Sequence, residues 1–567
     1  MLNVRRLFWA GMFACAVLAS PTFGQIVGGG WETQATLTGG PNLTGDFGSS
    51  VAAAGDVDGD GTCDILVGSP MDNLIGRSEA GTVHIFSGRT GVLIWRLEGQ
   101  NSFDHFGRSV SGAGDLDSDG FPDFLIGAPG ASSPTGKPVV GGVFVYSGAN
   151  ASQLFSCFGA RIGDTFGFAV QNASDLDLDG IPEFLVGAPY ADPNAKPDAG
   201  SAYLYSGATG AVLQRWDGSL AGDLEGYSLS EIGDLNGDGI PDIGVGAPYA
   251  SSINRLDGRL RAYSGADGTM LFEVGGNNGS QMGAAIAPAG DINGDSIPDL
   301  AVCAPSYFTG FTSAGAVHFL SGSTGGSLGD WEGNYDYQYF GSSIANVGDF
   351  DLDSRADFAV GSIRSDPTTG LSLGGVSVLS GATGESLGWF IGESEGSLFG
   401  AALAGLGDLD KDGLPEFIAG APGQEKAEVF SFRPYLVLSS SEISASLPIS
   451  IPLDLDFPPS EAGQAYAVLA SKTGVGPTQI ANLTVPLTLD SLMQRMLQGW
   501  SPPLLFNGKG FLDANGDGQA IAVGGRPRLI PLIGTEIYLA AVSIDMSTPG
   551  QPLGRLSSVS RALTVVP

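Results

Sequence analysis

A nine-residue acidic pattern, D-x-[DN]-x-D-x-x-x-[DE], occurs seven times in this chain, beginning at Asp56, Asp115, Asp175, Asp234, Asp291, Asp349 and Asp408. Successive starts are 57 to 60 residues apart. Self-similarity at such a period marks an array of supersecondary units, none of which can bury its apolar face alone. The flanks are equally regular. A pair ending in Gly lies nine residues before each first Asp: Phe47-Gly48, Phe106-Gly107, Phe166-Gly167, Glu225-Gly226, Met282-Gly283, Phe340-Gly341 and Phe399-Gly400. A Gly-Ala-Pro-like triplet begins twelve residues after it, at Gly68, Gly127, Gly187, Gly246, Cys303, Gly361 and Gly420. Length varies only outside the span from pair to triplet, so that span reads as one geometric unit and the remainder as loops.

Apolar alternation and turn residues divide each repeat into four strands. In the second repeat these are Gly107 to Ala113, Phe124 to Ile126, Val143 to Tyr146 and a last strand near Leu154-Phe155. Four antiparallel strands make one propeller blade. The seventh repeat has its third strand at Glu428 to Phe432 but no fourth, while Trp31 to Leu37 stands before the first repeat as Leu93 to Leu97 stands before the second. Pairing the N-terminal strand into the last blade closes the ring without an exposed edge. The expected fold is therefore all-β: a seven-bladed β-propeller closed by an N-terminal strand. An open solenoid, the other way to stack such units, would need polar capping repeats at its ends.

These residues resemble the FG-GAP repeats of integrin alpha chains and of related bacterial secreted proteins. The resemblance covers roughly residues 31 to 433, with departures at Glu225 and Met282, which lack the ring, and in three altered triplets. It implies a propeller whose face opposite the acidic loops binds ligand. No transmembrane segment of the kind an integrin alpha chain carries is evident, so a receptor-subunit role is not expected.

Calcium takes six to eight oxygen ligands, which alternate side chains of a tight loop plus one carbonyl can supply. The expected ligand sets, with the carbonyl donor fourth in each, are Asp56, Asp58, Asp60, Thr62 and Asp64; Asp115, Asp117, Asp119, Phe121 and Asp123; Asp175, Asp177, Asp179, Ile181 and Glu183; and Asp234, Asn236, Asp238, Ile240 and Asp242. The remaining three are Asp291, Asn293, Asp295, Ile297 and Asp299; Asp349, Asp351, Asp353, Arg355 and Asp357; and Asp408, Asp410, Asp412, Leu414 and Glu416. Gly61 and its equivalents permit the sharp turn, and Ser296 and Ser354 replace that glycine in the fifth and sixth loops, predicting weaker sites there. Asp-Gly turns arise without metal because both residues suit turns, but seven copies in register argue for a ligand. Up to seven Ca²⁺ ions with a structural role are expected. Mg²⁺ suits such a cage less well because it retains waters.

The formal net charge of -35 is concentrated in these loops rather than in runs, and nothing resembles the basic patch needed to displace counterions from nucleic acid. Residues 1–24 read as a secretory signal: Arg5 and Arg6, an apolar stretch Leu7 to Ala19, then small residues to Gly24. A secreted, extracellular or periplasmic protein is expected, free or attached to a cell surface, with no integral membrane span. The three cysteines after the leader, Cys63, Cys157 and Cys303, occupy unrelated repeat positions, so disulfides are not its framework.

The loops on the far face carry Tyr190, Tyr249, Tyr307, Phe308, Phe311, Tyr335, Tyr337 and Tyr339, rigid aromatics that suit recognition of a protein or glycan. The expected function is an adhesion or ligand-binding module. The alternative is a calcium-stabilised scaffold of a polysaccharide-degrading enzyme, for which loop acids such as Asp72, Asp192 and Asp198 are the available groups. No recognisable catalytic constellation supports it: His84 and His318 share one strand position, His105 precedes a Phe-Gly pair, and neither a nucleophile elbow nor a phosphate loop is present. The chain is thus divided into leader 1–24, propeller 25–433 and a C-terminal β-sandwich-like domain 434–567, in which Asp513 to Gly518 reads as a hairpin turn.

Overall fold

The computed structural model describes residues 27–566 except 41–44, 252–255, 352, 354, 365–370 and connecting segments beyond 434. The candidate leader and Ser354 lie outside the described residues. Six four-stranded antiparallel sheets follow in chain order, from Ser50–Gly55, Asp64–Ser69, Thr82–Phe86 and Leu93–Glu98 to Phe340–Gly348, Asp357–Ser362, Gly375–Leu379 and Ser386–Ile391. Second strands such as Asp64–Ser69 and Asp123–Ala128 are buried along their whole length, which is why they read as unbroken apolar runs, whereas the outer strands alternate and face water. The seventh blade is made of Leu403–Gly407, Glu416–Ala421 and Lys426–Pro434. Its fourth strand comes from the other end of the chain: Val27–Thr38 runs antiparallel to Lys426–Pro434, with Trp31 opposite Phe432 and Leu37 opposite Ala427. The first strands of the blades touch in ring order, the first blade meeting both the second and the seventh. The array is a closed seven-bladed propeller.

Trp31 secures the closure. Its indole N–H donates to the Leu387 carbonyl at 2.9 Å, and its ring packs edge-on against Phe350, Phe390 and Phe417. A chain end inserted into a sheet in this way adds the cross-strand ladder and the partial burial of Trp31, on the order of 1–2 kcal/mol.

The constancy of the pair and the triplet has a steric cause. Within a blade the amide of the pair's glycine donates to the carbonyl of the triplet's first residue, as in Gly107 to Gly127 at 3.0 Å. Between blades the same glycines press together: a Cβ added to Gly127 would lie 2.1 Å from the Gly167 carbonyl oxygen of the next blade, and one added to Gly420 would lie 1.9 Å from that of Gly48, across the closure. The residue preceding the glycine fills the blade core. Phe47, Phe106, Phe166, Met282, Phe340 and Phe399 are all buried there, so Met282 loses the ring without losing the packing.

The fourth blade places Glu225 at that site, fully enclosed. In the second and third blades the Phe meets an aromatic on the third strand, Phe106 with Phe144 and Phe166 with Tyr203. The strand register puts Arg261 at the same position, opposite Val245 as Phe144 is opposite Ile126. Arg261 Nη1 reaches Glu225 Oε2 at 3.1 Å, and Arg259 Nη2 reaches Asp223 at 2.7 Å and Glu225 at 3.3 Å. A ring pair has been exchanged for an ion-pair network, the condition under which a carboxylate tolerates burial.

Beyond the propeller, two small sheets share one apolar cluster containing Leu453, Leu455, Val468 and Leu539. One is formed by Leu436–Leu438, Ser450–Asp456, Asp517–Val523 and Leu505–Phe506, the other around Ala465–Ser471 and Glu536–Asp545. One expectation needs correction. The strands flanking Asp513 do not form a hairpin: Lys509–Phe511 pairs with Ala465–Ser471 while Asp517–Val523 pairs with Ser450–Asp456, and residues 514–516 between them lie outside the described residues. Within the all-β chain one short helix, Ser491–Leu497, was not anticipated; its Met493 and Met496 are buried against the sheets. A seven-residue helix carries too little periodic signal to be separated from the surrounding apolar strands.

Candidate metal loops and the opposite face

Each acidic segment joins the first strand of a blade to the second, so all seven lie on one face of the ring. Their internal wiring repeats. The first Asp accepts the amide of the sixth residue, as in Gly61 to Asp56 at 2.8 Å and Gly120 to Asp115 at 2.9 Å. The fifth residue's amide donates to the first and third side chains, as Asp119 does to Asp115 and Asp117. The seventh residue's amide donates to the fifth carboxylate, at Phe121, Ile181, Ile240, Ile297, Arg355 and Leu414. These bonds fold the side-chain oxygens inward around one point.

The ninth position is the buried foot of the loop. Asp64, Asp123, Glu183, Asp242, Asp299, Asp357 and Glu416 are completely enclosed. Each accepts the amide of the second residue, as from Leu116 to Asp123 at 2.7 Å, and the aspartates also accept a glycine amide of the turn after the third strand, as from Gly148 to Asp123 at 2.9 Å. The two glutamates make no such second bond, and Glu183 Oε1 and Glu416 Oε1 are buried without a hydrogen-bond partner. Asp56 Oδ1 and Asp60 Oδ1 are in the same condition.

Carboxylate oxygens approach within 4.8 Å of one another in five loops: Asp56, Asp58 and Asp64; Asp115, Asp117 and Asp123; Asp175, Asp177, Asp179 and Glu183; Asp349, Asp351 and Asp353; and Asp408, Asp410 and Glu416. The fifth-position acids Asp60, Asp119 and Asp412 stand outside these groups, as does Asp357. In the fourth and fifth loops an amide replaces one acid: Asn236 Nδ2 donates to Asp238 at 2.9 Å, and Asn293 Nδ2 to Asp299 at 3.2 Å. Burial, with neighbouring acids adding to it, pushes Asp64 up to about 6, Glu183 to about 7, and Asp357 and Glu416 to about 8, although backbone amides oppose the shift. Hard oxygen donors gathered at this density, some with orphaned lone pairs, fit a calcium ion.

Ser296 keeps the turn that its glycine equivalents make. Its φ is 69°, against 82° at Gly61, and its amide still donates to Asp291 at 2.8 Å. The fourth loop position is left-handed as well, including the non-glycine residues Ser118, Leu178 and Lys411. The repeat did not reveal this, because glycine stands there in only some copies.

The connections from second to third strand, and from fourth strand to the next blade, emerge on the other face. Tyr190, Phe308, Phe311 and Tyr337 are exposed there, as expected of a recognition surface. Tyr249, Tyr307, Tyr335 and Tyr339 are half-buried: Tyr307 packs on His318, and the Tyr335 hydroxyl donates to the Arg364 carbonyl at 2.9 Å. Met71, Ile75, Phe103, Val139, Ile162, Leu220 and Leu256 are also exposed on this face, whereas among the described residues of the acidic loops only Leu178 is. The residues immediately after the Gly pairs, Arg108, Phe168 and Tyr227, cluster with Tyr190 and Tyr249 and escaped the motif. Comparing that one position across the repeats would have shown three consecutive large side chains where the other copies carry Ser or Ala.

The groups open to catalysis do not converge. Asp72 is sealed in the first blade with Thr82, and Asp192 in the third accepts the Asp198 amide at 2.8 Å. His84 is a core residue, held down to about 4 by burial, and His318 pairs with Asp330.

Geometry thus defines a closed propeller with acidic loops on one face. The comparisons give the family of its repeats: the FG-GAP repeat matches residues 47–86, 106–146, 166–205 and 282–320, and the chain carries FG-GAP repeats of the integrin-alpha kind. Integrin alpha-PS2 of Drosophila melanogaster is 32% identical over 214 residues, covering 34% of this chain and 15% of its own length. Integrin alpha-5 of Xenopus laevis is 34% identical over 215 residues (35% and 20%), and integrin alpha-V of Gallus gallus 29% over 294 residues (48% and 27%). The chain therefore spans only about a sixth to a quarter of the length of these relatives. Among the described residues no helix is long and apolar enough to cross a membrane.

Proposed function

We propose that this chain is a secreted or cell-surface calcium-stabilised propeller, residues 25–433 followed by a β-sandwich unit at 434–567, that binds a protein or glycan ligand on the face opposite its acidic loops. The observation that carries the reading is segregation: carboxylates converge on one face, and the exposed loop aromatics Tyr190, Phe308, Phe311 and Tyr337 lie on the other. Bound calcium would cancel repulsion among the loop acids and cross-link the first two strands of each blade. The side chains named above would hold it, with Glu183 and Glu416 supplying their orphaned oxygens and the amide-bearing fourth and fifth loops supplying fewer charges. Similarity to integrin alpha chains supports an extracellular setting and an adhesive role.

Exposed apolar surface on a soluble domain is costly unless it meets a partner. Phe308, Phe311 and Tyr337 belong to two loops joined by the Tyr337 amide to the Thr312 carbonyl at 2.7 Å, so they form a fixed platform. Protein and glycan arrays probed with and without calcium test the reading. Replacing Phe308, Phe311 and Tyr337 together by Ser is expected to abolish array binding while leaving the melting temperature near wild type, and undiminished binding would count against the assigned face.

A further inference from the structure

Arg108 is an unusual residue for so acidic a chain. It follows the second Phe-Gly pair on the face opposite the acidic loops, and its guanidinium carbon lies 4.3 Å from the centroid of the Phe168 ring. Phe168 in turn touches Tyr227, with ring centroids 5.1 Å apart, and Tyr190 at 6.5 Å, while Tyr227 reaches Tyr249 at 6.1 Å. The electrostatic neighbours of Arg108 are the phenols of Tyr227 and Tyr190, and its guanidinium makes no ion pair within 4.0 Å among the described residues. Desolvation pushes its pKa down with no carboxylate to oppose the shift. A half-buried arginine ordinarily pairs with an acid, because removing even part of its charge from water is costly.

Three further cations on the same blades, exposed Lys137 and Arg161 and half-buried Lys196, also hydrogen-bond to backbone. Lys137 donates to the Ala160 carbonyl, Arg161 to that of Asp192 and Lys196 to that of Ser219, each on backbone rather than on a carboxylate. The nearby acids are committed to their own loops: Asp104 accepts the amides of Gln100 and Asn101, and Asp164 that of Arg161. Around them stand exposed apolar side chains, Phe103, Val139, Ile162 and Leu220.

We propose that Arg108 and its tyrosine surround form a binding site for the carboxylate of an acidic side chain presented by a protein partner. The site rests on the ligand face proposed above and assigns its chemistry. A carboxylate supplies the missing counter-charge and accepts the guanidinium fork, with the phenol hydroxyls as further donors. The aliphatic rim selects a protein over an acidic sugar, since it offers apolar area to side chains flanking the acid and few groups to sugar hydroxyls.

The test uses the calcium-loaded full chain, with blocked acetyl-Ile-Glu-Ile-amide, its Gln counterpart and glucuronate as probes, followed by calorimetric titration. Saturable binding of the Glu peptide is expected, weakened about tenfold or more by the Gln peptide and by Arg108→Gln, as loss of a charge-assisted bidentate contact requires. Arg108→Lys, which keeps charge but not the fork, should bind at an intermediate level; it serves as the second variant if the Gln protein melts early. Equal response to the two peptides, no saturable response at all, or glucuronate binding as tightly as the Glu peptide would each overturn the proposal. An array ligand bound alike by wild type and a normally folded Arg108→Gln protein would sink the arginine assignment while leaving the ligand face standing.

Discussion

The acidic face and the opposite face of this ring are built from the same blades, yet their loops obey different rules. On the acidic face the nine-residue motif recurs without change of length and with the same local hydrogen bonds, and the cost of crowding carboxylates is left for a cation to offset. On the opposite face the loops vary, and burial is balanced case by case: by rings around Phe106 and Phe166, by guanidinium groups around Glu225, and by aromatic faces around Arg108. A repeat thus fixes what a shared ligand demands and leaves free what individual packing can solve.

Removing the metal should break the comparison most forcefully. With a dissociation constant of about 0.1 mM per site and about 1 mM calcium, binding contributes roughly 1.4 kcal/mol per loop and about 10 for seven independent loops. Excess chelator is expected to lower the melting temperature steeply, and an unchanged melting curve would remove calcium from the account. In a graded titration the loops containing Asn236 and Asn293 should empty first, because each offers one fewer charge.

The fourth blade offers the next largest effect. Glu225→Ala removes the buried acid that Arg259 and Arg261 share, leaving them Asp223 and Glu273, and is expected to cost about 1–3 kcal/mol, read by denaturant unfolding. Restoring the ring pair of the third blade with Glu225→Phe and Arg261→Tyr together should be neutral or stabilising, since apolar replacement of a buried ion pair often is. If the double variant is as damaged as the single one, the exchange of rings for charges has been misread.

Proton linkage gives a third, smaller effect that belongs to the acidic face alone. Carboxyls raised by burial to about 6 at Asp64 and Asp123, about 7 at Glu183 and about 8 at Glu416 are easier to keep protonated in the folded chain than in the unfolded one. As pH climbs from the ordinary carboxylate range through those values, the metal-free protein must ionise them in place and loses stability. In chelator the melting temperature should therefore be higher at pH 5 than at pH 8. In excess calcium the order should reverse, because protons and metal compete for the same oxygens.

What could be read from the sequence follows the same division. The closure by Trp31 to Leu37 and the convergence of Asp175, Asp177, Asp179 and Glu183 were legible because seven copies specify one geometry. Arg108, Phe168 and Tyr227 were not, because the position after the glycine pair follows no period, and Glu225 read as a flaw because its compensating Arg261 lies 36 residues away. Which way a loop tyrosine holds its ring is likewise absent from the sequence, as at Tyr335, whose hydroxyl donates to the Arg364 carbonyl. The separate pairings of the strands flanking Asp513 and the helix Ser491–Leu497 fell outside any repeat, where short apolar segments do not distinguish pairing partners.

Ser296 provides the finest test of how far the acidic loops are prescribed. Its φ of 69° is a conformation that glycine adopts freely and a side chain resists, yet its amide holds Asp291 at the same distance as Gly61 holds Asp56. The loop has therefore kept its turn and accepted local strain. Ser296→Gly should raise stability by about 1 kcal/mol or less, because relief of strain is partly offset by the greater freedom of glycine in the unfolded chain. The gain should appear equally with and without calcium. If it appears only with metal bound, the serine was distorting the site after all, and the sequence-based expectation of a weaker fifth loop would be right for a reason the metal-free geometry hides.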